Sequence, residues 1–128
     1  MEIPKEIKEL GHQQQLGYLA LKAFFKIVED WNVDEAIQCR LLGKSVGLIE
    51  LWQLKEIPTG CLDRDRLARI RCLVLIYRIL AAKSTSISDM RAKIREGVTG
   101  APFFGESLLK YLAKSDTAAM IGACEALT

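Results

Sequence analysis

The chain is poor in the residues that catalysis and metal binding draw on. It has one histidine, three prolines and four cysteines, and no two of the cysteines stand at C-x-x-C spacing. His12 adjoins a glutamine run and reads as a solvated surface residue. With one histidine, no Ser/His/Asp or Cys/His arrangement can be assembled. Cys39, Cys61, Cys72 and Cys124 are scattered, which argues against a zinc site, and each sits in or beside an apolar helical pattern as a buried free thiol would. No glycine-rich phosphate loop precedes a helix in the required form. The sequence therefore points away from an enzyme and implies neither a cofactor nor a metal.

Other scarcities narrow the class. The longest apolar stretch, residues 72–82, is interrupted by Arg78 and is too short to span a bilayer. The first six residues are charged and lack the apolar run of a signal peptide. Half of the residues are hydrophobic and prolines are few, which favours a globular helical chain over a disordered one. No run alternates with the period of two that a half-buried strand needs. A soluble, cytoplasmic, all-α protein is the expectation. At 128 residues it forms one domain, or two small ones sharing a core.

The stretch from Leu41 to Trp52 organises the rest. Leu41 and Leu42 end one helical pattern, Gly43 stands where a tight turn calls for positive φ, and Ile49 and Trp52 follow at i, i+3 spacing. This is the pattern of a helix–turn–helix, and equally of a plain helical hairpin. The preceding helix is expected over residues 13–31, with Leu16, Leu19, Ala20, Ala23, Phe24, Ile27, Val28 and Trp31 on one face. Asn32 and Glu35 have capping-box spacing for the next helix, which ends at Leu42. The third helix is expected over residues 46–54, with Ser45 as its N-cap. Its apolar residues Leu48, Ile49, Leu51, Trp52 and Leu54 exceed what one core stripe requires, so a second protein surface is expected to meet them.

Residues 57–60, Ile-Pro-Thr-Gly, form the best internal boundary. A long helix is expected over residues 63–82, with Leu67, Ile70 and Val74 inward and Arg64, Arg66, Arg69 and Arg71 outward. Beyond Cys72 it reads as buried almost all round. Ser86 and Asp89 start a short helix that ends at Gly97. Phe103 and Phe104 lie in a Gly/Pro loop, as a plug into the core or as an anchor for a partner. Helices are then expected over residues 106–113 and, capped by Asp116, 117–127.

The net charge of +2 divides unevenly. Residues 1–56 carry seven basic and nine acidic side chains, whereas residues 57–128 carry eleven and seven. The half with the helix–turn–helix pattern is thus the acidic one, the reverse of what phosphate binding favours. At the start of the third helix, Lys44 and Ser45 are the only residues suited to phosphate contact, followed by Val46 and Leu48.

Several segments together resemble a known family. Residues 21–31 (LKAFFKIVEDW) are similar to the opening of the Xre-like MbcA/ParS/Xre antitoxins of bacterial toxin–antitoxin pairs. The likeness continues through Leu41-Leu42-Gly43, Trp52, Asp65-Arg66-Leu67 and Leu75-Ile76-Tyr77-Arg78. It ends with Pro102-Phe103-Phe104-Gly105 leading into Ser107-Leu108-Leu109. This resemblance implies an Xre-like helix–turn–helix domain over residues 1–56 and a helical toxin-binding domain over residues 57–128. It implies a RES-domain toxin that attacks NAD as partner, masking of that toxin's active site, and repression of the chain's own operon. Phe103, Phe104, Gly105 and Leu108 are the toxin-binding positions it implies. Dimerisation is expected through Leu48, Leu51 and Trp52, and operator DNA, held weakly per copy, through Lys44, Ser45, Val46 and Leu48. The competing reading is a free-standing helix–turn–helix transcriptional regulator with no toxin.

Overall fold

Apolar residues at helical spacing account for the first element, α1 (His12–Asp30), in the computed structural model of the chain, which describes residues 12–56 and 62–128. The leader, the 57–60 boundary and Cys61 lie outside the described residues. Leu21, Phe24, Ile27 and Val28 line the buried face of α1, and Trp31 follows directly. Six further helices follow: α2 (Glu35–Leu42), α3 (Leu48–Glu56), α4 (Arg64–Lys83), α5 (Ile87–Arg95), α6 (Leu108–Lys114) and α7 (Thr117–Leu127). There is no strand among the described residues, so the fold is all-α.

Short polar side chains set the helix starts. Asp34, Asp63, Ser86, Ser107 and Asp116 each accept a hydrogen bond from a backbone N–H of the first turn. Such a cap contributes about 1 kcal/mol. Asn32 does not cap α2 as its spacing suggested. It adopts φ 55° and closes α1 instead, and the Val33 N–H donates to the Val28 carbonyl at 3.0 Å. Asparagine tolerates the left-handed region better than most residues, so it competes for this site.

The turn after α2 also differs from expectation. Gly43 lies at φ 162°, in extended backbone open to any residue, and not in the left-handed region. The Val46 N–H donates to the Gly43 carbonyl at 3.2 Å, which spends residues 43–46 on a turn. The third helix therefore starts later, at Leu48, where the Leu51 N–H bonds to the Gly47 carbonyl at 3.0 Å. Ser45 is part of the turn rather than an N-cap.

One core runs through both sequence halves. It takes in Leu21, Phe24 and Trp31 from α1 and its end, Leu41 and Leu42 from α2, Ile70, Leu73 and Ile76 from α4, and Leu112, Met120 and Ala123 from α6 and α7. α1 lies along α4, α4 packs on α7, and α2 meets α3, α4 and α6. The carboxyl end of α1 meets the carboxyl-terminal part of α4, where the Tyr77 hydroxyl donates to Asp30 Oδ2 at 2.5 Å and the Trp31 and Tyr77 rings lie 6.3 Å apart.

Helix ends supply much of the polar bonding. The last carbonyls of a helix have no partner within it and carry its negative dipole end. Arg91 Nε donates to the Asp30 carbonyl at 2.7 Å, and Arg95 donates to the Trp31 and Asn32 carbonyls at 2.8 Å each. Arg69 does the same for two helices at once. It donates to the Arg40 and Leu41 carbonyls of α2 at 2.7 and 2.9 Å and to the Ser115 carbonyl after α6 at 3.1 Å. Arg69 is 1% exposed, so the expected outward face of α4 is broken at its centre. Nor is α4 buried all round past Cys72, since Leu75 and Arg78 reach the surface.

Cys39, Cys72 and Cys124 are free and buried. Burial pushes each of the three thiols up, away from the reactive thiolate. Among the described residues, no helix is long and apolar enough to cross a membrane.

Candidate interaction site

The loop between α5 and α6 is built to present one aromatic ring. Glu96 ends α5, and Gly97 pairs with Ser107 in an isolated antiparallel bridge. The Gly105 N–H donates to the Val98 carbonyl at 2.7 Å, and the Val98 N–H to the Glu106 carbonyl at 3.0 Å. These bonds close the loop at its base. A Cβ at Gly97 would run into the Gly105 carbonyl oxygen, so the close approach of the two strands of chain requires glycine there.

Within the loop, the Phe103 and Phe104 N–H groups both donate to the Gly100 carbonyl, at 3.0 and 2.8 Å. Phe104 takes φ 48°, between Gly100 at 84° and Gly105 at 89°, and the Ala101–Pro102 peptide is cis. The positive φ at Phe104 separates the surroundings of the two rings. Phe103 is 5% exposed and packs edge-on against Tyr111 with ring centroids 5.0 Å apart. Phe104 is 80% exposed. Leu108 opens α6 after its cap Ser107 and is buried, as are Leu109 and Leu112. Of the four residues that the family likeness singles out here, Phe104 and Gly105 are at the surface, and Phe103 and Leu108 support them from the core.

A second apolar surface lies on α3. Leu51 is buried and fixes the helix to the core, while Leu48, Ile49 and Trp52 are exposed, Ile49 to 70%. The Trp52 indole N–H donates to the Glu35 carboxylate on α2, which holds the ring in place. Of the residues expected at a dimer contact, Leu48 and Trp52 are accessible and Leu51 is not. Ile49 belongs with them.

The residues proposed for DNA contact are divided too. Lys44 and Ser45 are exposed in the turn, Leu48 opens α3, and Val46 is buried. A shallow cavity of about 250 Å³ beside Lys44 and Ser45 is lined by Asp63, Asp65 and Asp116, with Arg66 and Arg69. Arg66 is engaged with Glu50 of α3 at 2.5 Å. Three carboxylates around the turn oppose the approach of phosphates.

Two features escaped the sequence reading. Arg69 shares its helix with four surface arginines, and nothing in its spacing sets it apart. The open groove between α1 and α4 arises only when the two helices are laid side by side. No protein-family model matches the chain, and no curated protein or solved structure matches it.

Proposed function

We propose that the chain is the antitoxin of a bacterial type II toxin–antitoxin pair, and that it binds and masks the active site of a RES-type, NAD-attacking toxin in the cytoplasm. The resemblance of the segments between residues 21 and 109 motivates this reading. The observation that carries it is Phe104, an aromatic ring exposed to 80% on a loop closed at its base by backbone hydrogen bonds. A soluble monomer gains nothing in stability from a ring held outward in left-handed backbone. A partner gains an anchor that is already ordered, and anchors of this kind dominate interface energies.

The antitoxin dimerises through Leu48, Ile49 and Trp52 of α3. Operator binding comes from adding two weak half-sites, each resting on Lys44 and Ser45. The carboxylates around that turn make DNA contact the weaker of its two activities. The alternative, a free-standing regulator, needs a basic reading surface, and α3 carries Lys55 alone among basic residues.

Co-expression with the product of the adjacent gene tests this function. The expected result is a stable complex and preserved cellular NAD, with the complex weakened about thirty-fold by Phe104→Ala, as loss of a hot-spot residue brings. A neighbour that neither binds nor depletes NAD would refute the antitoxin role.

A further inference from the structure

An open groove of about 640 Å³ runs between α1 and α4, on residues that the function proposed above does not use. Leu16 and Leu19 of α1 and Leu67, Val74 and Leu75 of α4 form its apolar floor. Leu16 and Leu75 are each 40% exposed, so this floor is uncovered among the described residues.

Arg64, Arg71 and Arg78 line the same groove. Their seven-residue spacing puts them in a row along α4, about 10 Å apart at the rise of a helix. Other arginines of α4 are engaged: Arg66 pairs with Glu50, and Arg69 bonds backbone carbonyls. The side chains of Arg64, Arg71 and Arg78 make no hydrogen bond or ion pair with any described residue, and no carboxylate lines the groove. Three charges therefore stand uncompensated beside an apolar strip.

A ligand complementary to this surface must be apolar along its centre and acidic along its edge, with its charges repeating at the rise of α4. Of the common recognition elements, an amphipathic helix has that form, and a channel between two aligned helices accepts a third by ridge-into-groove packing. A nucleic-acid backbone would lay phosphates over the leucines and leave them in water. We infer that the α1–α4 groove docks an amphipathic helix of a partner protein whose carboxylates pair with Arg64, Arg71 and Arg78.

Fluorescence anisotropy on the full chain tests this. The probe is a labelled alanine-based helical peptide with a leucine stripe flanked by glutamates at seven-residue spacing. Its control carries lysines in place of the glutamates, and a labelled DNA duplex is the second control. The acidic peptide is expected to bind, the lysine peptide and the duplex not. Arg71→Glu and Leu75→Asp are each expected to weaken binding about tenfold, by reversing one ion pair and by wetting the apolar floor. Both residues are exposed, so circular dichroism should show both variants folded as the parent is. Equal binding of the two peptides, or no binding of either, overturns the inference. So does duplex binding that Arg71→Glu abolishes. Peptide binding that emerges only after removal of residues 1–11 would give the groove to the chain's own leader, and self-association lost in Leu75→Asp would give it to a second copy. Either result also overturns the inference.

Discussion

Replacing Arg69 by methionine should destabilise the fold chiefly through lost hydrogen bonds. Methionine matches the aliphatic stem and ends short of the guanidinium nitrogens, and its flexible thioether adapts to irregular space. What disappears is the donor to the Arg40, Leu41 and Ser115 carbonyls, which belong to the ends of α2 and α6. A hydrogen bond to a charged group contributes about 1.5–3 kcal/mol, and three to carbonyls are lost together with a long one, at 3.4 Å, to the Thr117 hydroxyl. Against this stands the relief of burying a guanidinium, several kcal/mol, which here has helix dipoles rather than a contacting carboxylate to offset it. The Arg40 carbonyl, on the wetter side, recovers water, whereas the Leu41 and Ser115 carbonyls do not. The net loss is therefore about 2–4 kcal/mol, or a fall in Tm on the order of 10 °C for a domain of this size. Arg69→Lys keeps the charge but cannot reach three carbonyls, and should fall about midway. Urea titration and thermal unfolding followed by circular dichroism measure both. If Arg69→Met unfolds within about 0.5 kcal/mol of the parent, the guanidinium does not tie these helices together.

Other residues give narrower tests. Gly97→Ala should cost about 1–3 kcal/mol in urea unfolding, because its Cβ displaces the Gly105 carbonyl, and an unchanged midpoint would refute that close approach. Burial pushes the Asp30 carboxyl up, but the Tyr77 hydroxyl and the Lys26 ammonium outweigh it and hold the group below its usual value. Its contribution is thus complete above a pH of about 4, the unfolded value, and is lost as pH falls through the lower folded value. Tyr77→Phe should lower stability at neutral pH and flatten the loss below a pH of about 4. A pH dependence identical to the parent's would exclude that coupling. Leu48→Glu should convert the proposed dimer to a monomer in sedimentation analysis, and an unchanged mass would clear α3 of the contact.

How much was legible from the residues depended on how local the cause was. The last helix came out over residues 117–127 as expected, because Asp116 and the apolar spacing after it act within one helix. The excess apolar surface of α3 was legible for the same reason, and Leu48, Ile49 and Trp52 do stand exposed. The start of α3 was missed, because Ser45 as a cap competed with a turn from Gly43 to Val46, and the turn won. Arg69 was misread because its partners lie 28, 29 and 46 residues away, beyond any helical period. The unequal burial of Phe103 and Phe104 was undetermined, since it depends on the positive φ at Phe104 and on the bridge at the loop base.

Under the proposed function, Phe104 anchors the chain to a toxin. The most direct measurement is calorimetric titration of that toxin with the parent chain and with Phe104→Ala, beside the thermal unfolding of both. The ring is exposed, so its removal should leave folding stability within about 0.5 kcal/mol. Binding should weaken by about 2 kcal/mol or more, and the toxin's NAD consumption should return at antitoxin concentrations that had suppressed it. Equal affinity of the two chains for the toxin would contradict a role for Phe104 as the anchor.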